Sequence, residues 1–246
     1  MSKYTSNNAA IGELGRYPIV IKAKSLIVKY WLRLNSGTKN ILLNEAYKTC
    51  MNNKLRWIQG IESILCENGF GDVWTSPNMV NKDTFHKYFR QRLYDQHIQN
   101  WKSKISNSSR FKVLQLTHEN YKVQQYIEKI KNPNARELFT RLRIDVNILR
   151  TSKIHGNEND TTCLLCQNDA ETVEHFLFIC PHFDTIRSEK IAEIQSNDPY
   201  FDTLNINNKL RYILNLNCPD TNIGACCNLV MALYTQREKD NCIRIV

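Results

Sequence analysis

The chain lacks the short motifs that accompany most hydrolytic and phosphate-transferring active sites. It contains no Asp-Asp dipeptide, no Gly-rich phosphate-binding loop, no Gly-x-Ser-x-Gly turn and no His-Glu-x-x-His segment. Phosphoryl and nucleotidyl transfer need paired carboxylates that hold two metal ions, and the other motifs position a nucleophile, a phosphate or a catalytic zinc ion. We therefore predict that the chain is not an enzyme by itself.

The sequence also lacks a secretory signal and any apolar run long enough to span a bilayer. Nine cysteines are present, and three of them lie in one short array that is described below. The other six show no ligand-like pairing, which favours reduced thiols in an intracellular protein. They are Cys50, Cys66, Cys218, Cys226, Cys227 and Cys242. We expect a nuclear or cytoplasmic protein that is not secreted and has no membrane partner.

Positive charge is concentrated in the first part of the chain. The formal net charge is +9, but residues 1–152 carry 25 Lys/Arg against 11 Asp/Glu, whereas residues 153–246 carry 8 against 13. A basic segment of this size predicts a polyanionic partner, and nucleic acid is the usual one. The alternative is a cationic surface that only keeps the protein soluble.

A compact Cys/His array lies within residues 162–183, which we call the knuckle. Its four potential ligands follow a C-x2-C-x8-H-x4-C pattern and are Cys163, Cys166, His175 and Cys180. Zn²⁺ prefers four tetrahedral nitrogen and sulfur ligands, and two cysteines separated by two residues can bind one metal from a single turn. Thr172 can cap a helical turn that carries His175, and the proline after Cys180 bends the chain at the fourth ligand. The array predicts one Zn²⁺ ion.

Four protein ligands leave no position open for water, so the predicted zinc ion is structural rather than catalytic. Three thiolates give the complex a net negative charge, and the knuckle contains acidic residues but no Lys or Arg. We therefore do not expect the knuckle to bind phosphate directly. His155 and His182 are conceivable substitute ligands, although Cys180 has better spacing and a softer donor atom. A cluster of four buried residues without a metal is the remaining alternative.

Two sets of basic residues are expected to face solvent along helices. The first lies within about 40° on a helix that is otherwise mostly apolar and expected to be buried; it comprises Lys22, Lys29 and Arg33. The second recurs every seven residues and comprises Arg136, Arg143 and Arg150. Because Arg binds phosphate bidentately, such a row can contact successive phosphates. Ordinary solvated helix faces are the alternative for both sets.

Apolar residues recur at helical spacing in almost every segment, so we predict a mainly α fold. A helical bundle is followed by the knuckle and a short helical tail, with one basic domain at residues 1–152 and a second domain at residues 153–246. The predicted helices are 18–34, 39–51, 55–68, 82–105, 121–130, 133–149, 184–195, 206–216 and 223–236. Residues 110–116 have a weak strand pattern, and residues 1–11 are polar and expected to be frayed.

The knuckle resembles the C-terminal zinc knuckle of non-LTR (LINE-class) retrotransposon reverse transcriptases. Other stretches agree with that family: GELGRYP at 12–18, VKYWLRL at 28–34, TRLR at 140–143 and NILR at 147–150. The resemblance implies helical thumb-like and linker segments, then the knuckle and a closing tail, with the polymerase palm missing. It also implies binding to template RNA or target DNA, and the missing polymerase core as a second partner. Apolar surface that would pack on that core is then left exposed.

Two other functions remain open at this point. The chain can be a zinc-stabilised helical module for protein–protein interaction, with its basic half as a docking surface. A zinc hydrolase is disfavoured, because the four-ligand set is closed to water.

Overall fold

The computed structural model describes residues 6–146, 149–152 and 161–244. Over these ranges the chain is mainly helical and forms no β-strand, which confirms the predicted fold class. Two isolated antiparallel bridges join Leu14 to Val123 and Thr162 to Ala170. None of the helices in the described ranges is both long enough and apolar enough to cross a membrane.

The α-helices of the described ranges are α1 (Asn7–Glu13), α2 (Ile19–Asn35), α3 (Ile41–Asn52), α4 (Arg56–Glu67), α5 (Gly71–Thr75), α6 (Lys82–Ser106), α7 (Lys112–Thr117), α8 (Gln125–Lys129), α9 (Pro133–Arg143), α10 (Asp184–Asn197), α11 (Ile206–Leu214) and α12 (Ile223–Arg244). A short π-helix covers His175–Ile179 in the knuckle. Most of the predicted helices therefore occur within a few residues of their expected ends, although α8 is shorter and α12 is longer.

The predicted strand at residues 110–116 is wrong. This segment forms a 3-10 turn over Ser109–Phe111 and then α7. Val113, Leu114 and Thr117 are all buried. Their spacing of one and three residues fits one face of a helix better than the alternation of a half-buried strand.

The helix predicted at residues 133–149 ends six residues early, at Arg143. The reason is Asp145, whose φ of +52° places it in the left-handed region, where a helix cannot continue. Asp is one of the few residues besides Gly that enter this region readily. Its backbone carbonyl accepts hydrogen bonds from the Arg110 guanidinium, at 3.4 Å from Nε and 3.2 Å from Nη2.

The described chain divides into two compact units whose limits differ from the predicted boundary at residue 152. The inserted unit is Tyr17–Trp101, and the outer unit combines Met1–Arg16 with Lys102–Val246. The core of the outer unit contains residues from both sides of the predicted boundary, such as Phe139 and Phe176. A cut after residue 152 would therefore expose apolar surface that the structure buries.

The inserted unit is built from α2, α4 and the first part of α6, which pack around an aromatic-rich core. The buried side chains of this core include Val28, Trp31, Leu65 and Phe89. Trp31 stacks on Trp74 with ring centroids 5.3 Å apart. By contrast, α3 has no buried residue.

The N-terminal segment belongs to the outer unit, contrary to the expectation that residues 1–11 are frayed. Residues 7–11 lie in α1, where Ala9 is fully buried; residues 1–5 lie outside the described ranges. The carboxylate of Glu13 accepts two hydrogen bonds of 2.9 Å from Arg143. Gly15, with a φ of +56°, lies so close to the backbone of Lys122 that a Cβ atom would be 2.4 Å from its carbonyl carbon. The segment is therefore held both by a buried ion pair and by close backbone contact.

Candidate metal centre and basic surfaces

The first two potential ligands lie on a tight turn at the start of the knuckle. The backbone N–H of Gln167 donates to the carbonyl of Cys163 at 2.8 Å, and the N–H of Cys163 donates to the carbonyl of Asp169 at 2.8 Å. Gln167 has a φ of +59°, which lets the chain reverse after Cys166. The two sulfur atoms are thereby brought to the same side of the turn.

The third potential ligand, His175, is the first residue of the π-helix, and the fourth, Cys180, follows its last residue. The Thr172 hydroxyl accepts a hydrogen bond from the N–H of His175 at 3.1 Å, which confirms the predicted cap. The N–H of Cys180 donates to the carbonyl of His175 at 2.8 Å, so the turn is one residue wider than an α-helical turn. Cys180 has φ −56° and ψ 118°, the extended conformation predicted for a residue before proline.

The donor atoms of Cys163, Cys166, His175 and Cys180 all lie within 4.8 Å of one another. A tetrahedral zinc ion with ordinary bond lengths would hold S···S pairs about 3.8 Å apart and S···N pairs about 3.6 Å apart. The Cys163 and Cys180 sulfur atoms are 3.9 Å apart, and the Cys166 sulfur is 3.3 Å from Nε2 of His175. The predicted residues therefore form a cluster that could hold a metal ion, and these two donor pairs lie close to the distances of a tetrahedral site.

Burial and local hydrogen bonds shift the pKa values of these four groups. Cys163, His175 and Cys180 are almost fully buried. Desolvation lowers the pKa of His175, which keeps its imidazole neutral and able to bind a metal. Desolvation raises the pKa of Cys163, and it raises that of Cys180 to about 12. Burial also acts to raise the pKa of Cys166, but hydrogen bonds from backbone N–H groups and neighbouring thiols outweigh it and lower the pKa.

Arg187 on α10 holds the second half of the cluster in place. Its Nε donates to the carbonyl of Leu177 at 3.1 Å, and its Nη2 donates to the carbonyl of Cys180. Its Nη1 donates to Asp184 at 2.6 Å. Because two of these acceptors are carbonyls of the His175–Pro181 stretch, the guanidinium fixes the backbone that carries the fourth donor atom.

A second buried arginine holds the loop between the two halves. Glu171 receives hydrogen bonds from Arg237 on α12 at 2.6 and 2.8 Å, and both side chains are 3% exposed. The same carboxylate accepts the backbone N–H of Arg150 at 2.8 Å. Arg187 and Arg237, which lie on helices outside the knuckle, thus partly neutralise its acidic side chains. No sequence signal marks these two arginines, whose partners are set only by the packing of α10 and α12.

Of the two substitute ligands that the sequence suggested, His182 does not replace Cys180. His182 points its Nε2 at Asp240, 2.6 Å away, and its donor atom is not part of the cluster. His155 lies outside the described residues.

The first basic set is exposed as predicted. Lys22, Lys29 and Arg33 all face solvent on α2, and none of them pairs with a carboxylate among the described residues. The rest of the helix differs from the prediction, because it is not mostly buried. Leu26 is 54% exposed and Ile27 is 42% exposed. The solvent-facing half of α2 is therefore cationic on one side and apolar on the other.

The predicted row of Arg136, Arg143 and Arg150 is not formed. Arg150 lies beyond the end of α9, and Arg136 is half-buried with its Nη1 3.3 Å from the carbonyl of Ile127. Arg143 is fully buried, since its periodic position coincides with the core face of α9. Its partners within the protein leave no route to an external phosphate. A seven-residue repeat places side chains on one face, but it does not show which way that face points.

Comparisons of the chain with protein-family models, with curated proteins and with solved structures found no match.

Proposed function

We propose that the chain is a non-catalytic nucleic-acid-binding protein whose fold is completed by one structural Zn²⁺ ion, and that it corresponds to the C-terminal region of a LINE-class reverse transcriptase without the polymerase palm. The zinc proposal rests on one observation, the convergence of three sulfur atoms and one imidazole nitrogen within 4.8 Å. This donor set is typical of structural zinc, because soft thiolates prefer Zn²⁺ to Mg²⁺ or Ca²⁺ and four protein ligands leave no place for water.

Zinc would couple the knuckle to the folding of the outer unit. Thiols must lose their protons to bind the metal, and burial opposes free thiolates at two of the three cysteines. The metal therefore supplies the charge that makes the buried thiolates stable. Its loss would leave a buried polar cluster beside the core that includes Phe176 and Leu177.

The zinc proposal is tested with purified protein by elemental analysis and by Co²⁺ substitution. We expect one zinc ion per chain and the intense visible bands of tetrahedral cobalt thiolate. Cys163→Ser should lose both, whereas Cys66→Ser, at an exposed cysteine outside the knuckle, should keep both. A wild-type protein without stoichiometric zinc, or equal loss in the two variants, would contradict the proposal.

Nucleic-acid binding is proposed for the inserted unit rather than for the knuckle. The inserted unit carries 12 Lys/Arg against 6 Asp/Glu, and three of these cations are exposed on α2 without a carboxylate partner in the described part of the chain. Binding to phosphates releases counterions, so affinity should fall steeply with salt. Fluorescence anisotropy with a structured RNA, a single-stranded oligonucleotide and a duplex DNA over a salt series tests this. Absence of binding to all three at low salt would refute it.

A protein-docking function is the second candidate, and one observation favours it. Ile41 and Leu42 on α3 are 76% and 82% exposed, and the inserted unit holds most of the exposed large apolar side chains of the described chain. Such a surface is typical of a partner interface, and the absent polymerase core is the partner that the resemblance suggests. Self-association that Leu42→Asp abolishes would support an apolar docking surface. A monomer at all concentrations with full nucleic-acid binding would argue against it.

A further inference from the structure

A cleft of about 470 Å³ lies within the inserted unit, between the second half of α2 and the first turn of α6. Its volume falls in the range of small-ligand sites, about 300–1,000 Å³. Only part of its wall comes from the predicted basic set. Lys29 and Arg33 line it from α2, and Lys82, which is not a member of that set, lines it from α6.

The charge in the cleft is unbalanced. Three cations face it, whereas Asp83 is the one carboxylate among its lining residues. Neither Lys29 nor Arg33 has an ion-pair partner in the described ranges, and Lys82 donates to the hydroxyl of Ser36 at the cleft wall. Unpaired cations in a concave site raise the local positive potential, which attracts a multivalent anion such as phosphate.

The start of α6 adds to this preference. Lys82 and Asp83 are its first two residues, so the positive end of a 25-residue helix lies at the cleft. The side chain of Asn81 caps only one of the free backbone donors, the N–H of Thr84 at 3.0 Å. Partial positive charge at a helix N-terminus stabilises an anion close to the first turn.

The remaining wall is apolar and partly aromatic. Leu26 and Tyr30, one helical turn apart on α2, line the cleft and are 54% and 47% exposed. A purine or pyrimidine can stack on an exposed tyrosine ring while its phosphate meets the cations beside it. Duplex nucleic acid keeps its bases stacked inside, whereas a single strand can present an unstacked base.

We infer that this cleft binds one nucleotide of a single-stranded nucleic acid, with its phosphate between Lys29, Arg33 and Lys82 and its base on Tyr30. The inference rests on the proposed nucleic-acid binding and gives it a location. The same chemistry would suit a free mononucleotide, and the test separates the two.

The central experiment compares two triple variants of the zinc-loaded full chain by anisotropy with a single-stranded oligonucleotide. The cleft variant carries Lys29→Ala, Arg33→Ala and Lys82→Ala. The control variant carries Lys39→Ala, Lys87→Ala and Arg92→Ala, which removes the same charge from exposed positions of the inserted unit that do not line the cleft. The cleft holds one phosphate, so its loss should lower the salt slope of the cleft variant by about 0.7, whereas the control variant should keep the wild-type slope. The lost phosphate contact corresponds to about a fivefold loss of affinity at about 0.1 M salt.

Two single variants check the parts of the cleft separately. Asp83→Asn removes the opposing carboxylate and should strengthen binding about two- to fivefold, since it takes away one repulsive charge near the phosphate. Tyr30→Leu keeps an apolar wall without the ring, and should weaken binding about tenfold while leaving the salt slope unchanged. These variants also keep the test decisive if the triple variant folds poorly, which circular dichroism and thermal unfolding will show.

The outcomes distinguish this inference from the proposed function. A wild-type chain that binds no nucleic acid refutes the proposed function itself. Wild-type binding with equal losses in the cleft and control variants leaves the function in place and overturns the cleft. Equal affinity for a single strand and a duplex contradicts the single-stranded assignment. Calorimetric binding of adenosine monophosphate that the cleft variant alone abolishes, without any change in oligonucleotide affinity, shows that the cleft takes a free nucleotide instead.

Discussion

The buried ion pair between Glu13 and Arg143 should be one of the most costly contacts to break in the outer unit. The two side chains are 2% and 0% exposed, and the guanidinium uses all five of its N–H donors. Two go to Glu13, and the others go to Gln124 (3.3 Å), the carbonyl of Leu214 (3.1 Å) and Asn215 (3.3 Å). The arginine also lies over the ring of Tyr126, 4.9 Å from its centroid. No part of this network is open to solvent.

Glu13→Ala removes the carboxylate and leaves a buried cation with two unsatisfied donors. The cost of breaking such a pair from one side is about 3–5 kcal/mol. This is a large part of the total stability of about 5–15 kcal/mol that is usual for a folded protein. Urea unfolding of the zinc-loaded chain measures the loss as a lower midpoint at unchanged slope.

Glu137→Ala is the matched control, because it removes a carboxylate from the same arginine-rich region without opening a buried pair. Glu137 is on α9, its side chain is 69% exposed, and it lies 3.9 Å from Arg141. The control should cost less than about 0.5 kcal/mol. Equal small losses in the two variants would refute the burial of Arg143 and would restore the possibility that it meets a phosphate.

Replacing both charged residues tests whether the cost of Glu13→Ala comes from the unpaired buried charge. Glu13→Leu combined with Arg143→Met leaves no buried charge unpaired, although it leaves the other acceptors without their donor. The double variant should therefore be more stable than Glu13→Ala alone. A double variant that is less stable would show that the contacts to Leu214 and Asn215 matter more than the charge. Glu13→Gln, which keeps one acceptor, gives an intermediate value if Glu13→Ala does not fold.

Three further predictions concern single residues. Burial raises the pKa of the Asp145 carboxyl to about 6, so its ionisation destabilises the fold as pH rises from about 4 to about 6. Asp145→Asn should therefore raise the free energy of unfolding by about 1–2 kcal/mol in urea unfolding near pH 7.5 and should not raise it near pH 4. A stabilisation that does not depend on pH would contradict this. Arg187→Met frees the carbonyl of Cys180 and should weaken zinc binding about 10–100-fold in a chelator competition, whereas unchanged affinity would show that the arginine only packs. Gly15→Ala should destabilise the outer unit by several kcal/mol, because the new Cβ atom would clash with backbone. Gly37 also has a positive φ but has no neighbour within 4 Å of an added Cβ atom, so Gly37→Ala should cost only about 1–2 kcal/mol. Equal costs in the two variants would argue against the clash.

The metal cluster was predictable because its geometry is local. All four donors lie within 18 residues of sequence, and each half is shaped by short-range features: a tight turn at Cys163 and Cys166, and a cap and a proline around His175 and Cys180. Short-range turns therefore bring the four donors together, and Arg187 and Arg237 support the knuckle from more distant helices. The pattern of cysteines and histidine therefore carried enough information to select the residues.

The basic surfaces were harder to predict, because exposure depends on distant parts of the chain. Arg143 and Glu13 are 130 residues apart, and Arg237 and Glu171 are 66 residues apart. An arginine that is buried with a carboxylate has the same periodicity as one on a solvated face. The end of α9 was missed for a different reason, since Asp145 takes a left-handed conformation that Gly would have signalled more clearly.

The order of the units along the chain has a consequence for synthesis on the ribosome. α1 emerges from the ribosome well before Arg143, the partner of its Glu13, which follows 130 residues later, after the whole of the inserted unit. At about 5–20 residues per second the ribosome needs about 6–25 s to reach that partner. By then all core residues of the inserted unit have been synthesised, so this unit can fold during translation. Ala9 and Glu13 still lack the later part of the outer unit with which they form their buried contacts. During this interval the nascent segment is open to chaperones and proteases, and translation speed through residues 17–143 sets how long that exposure lasts.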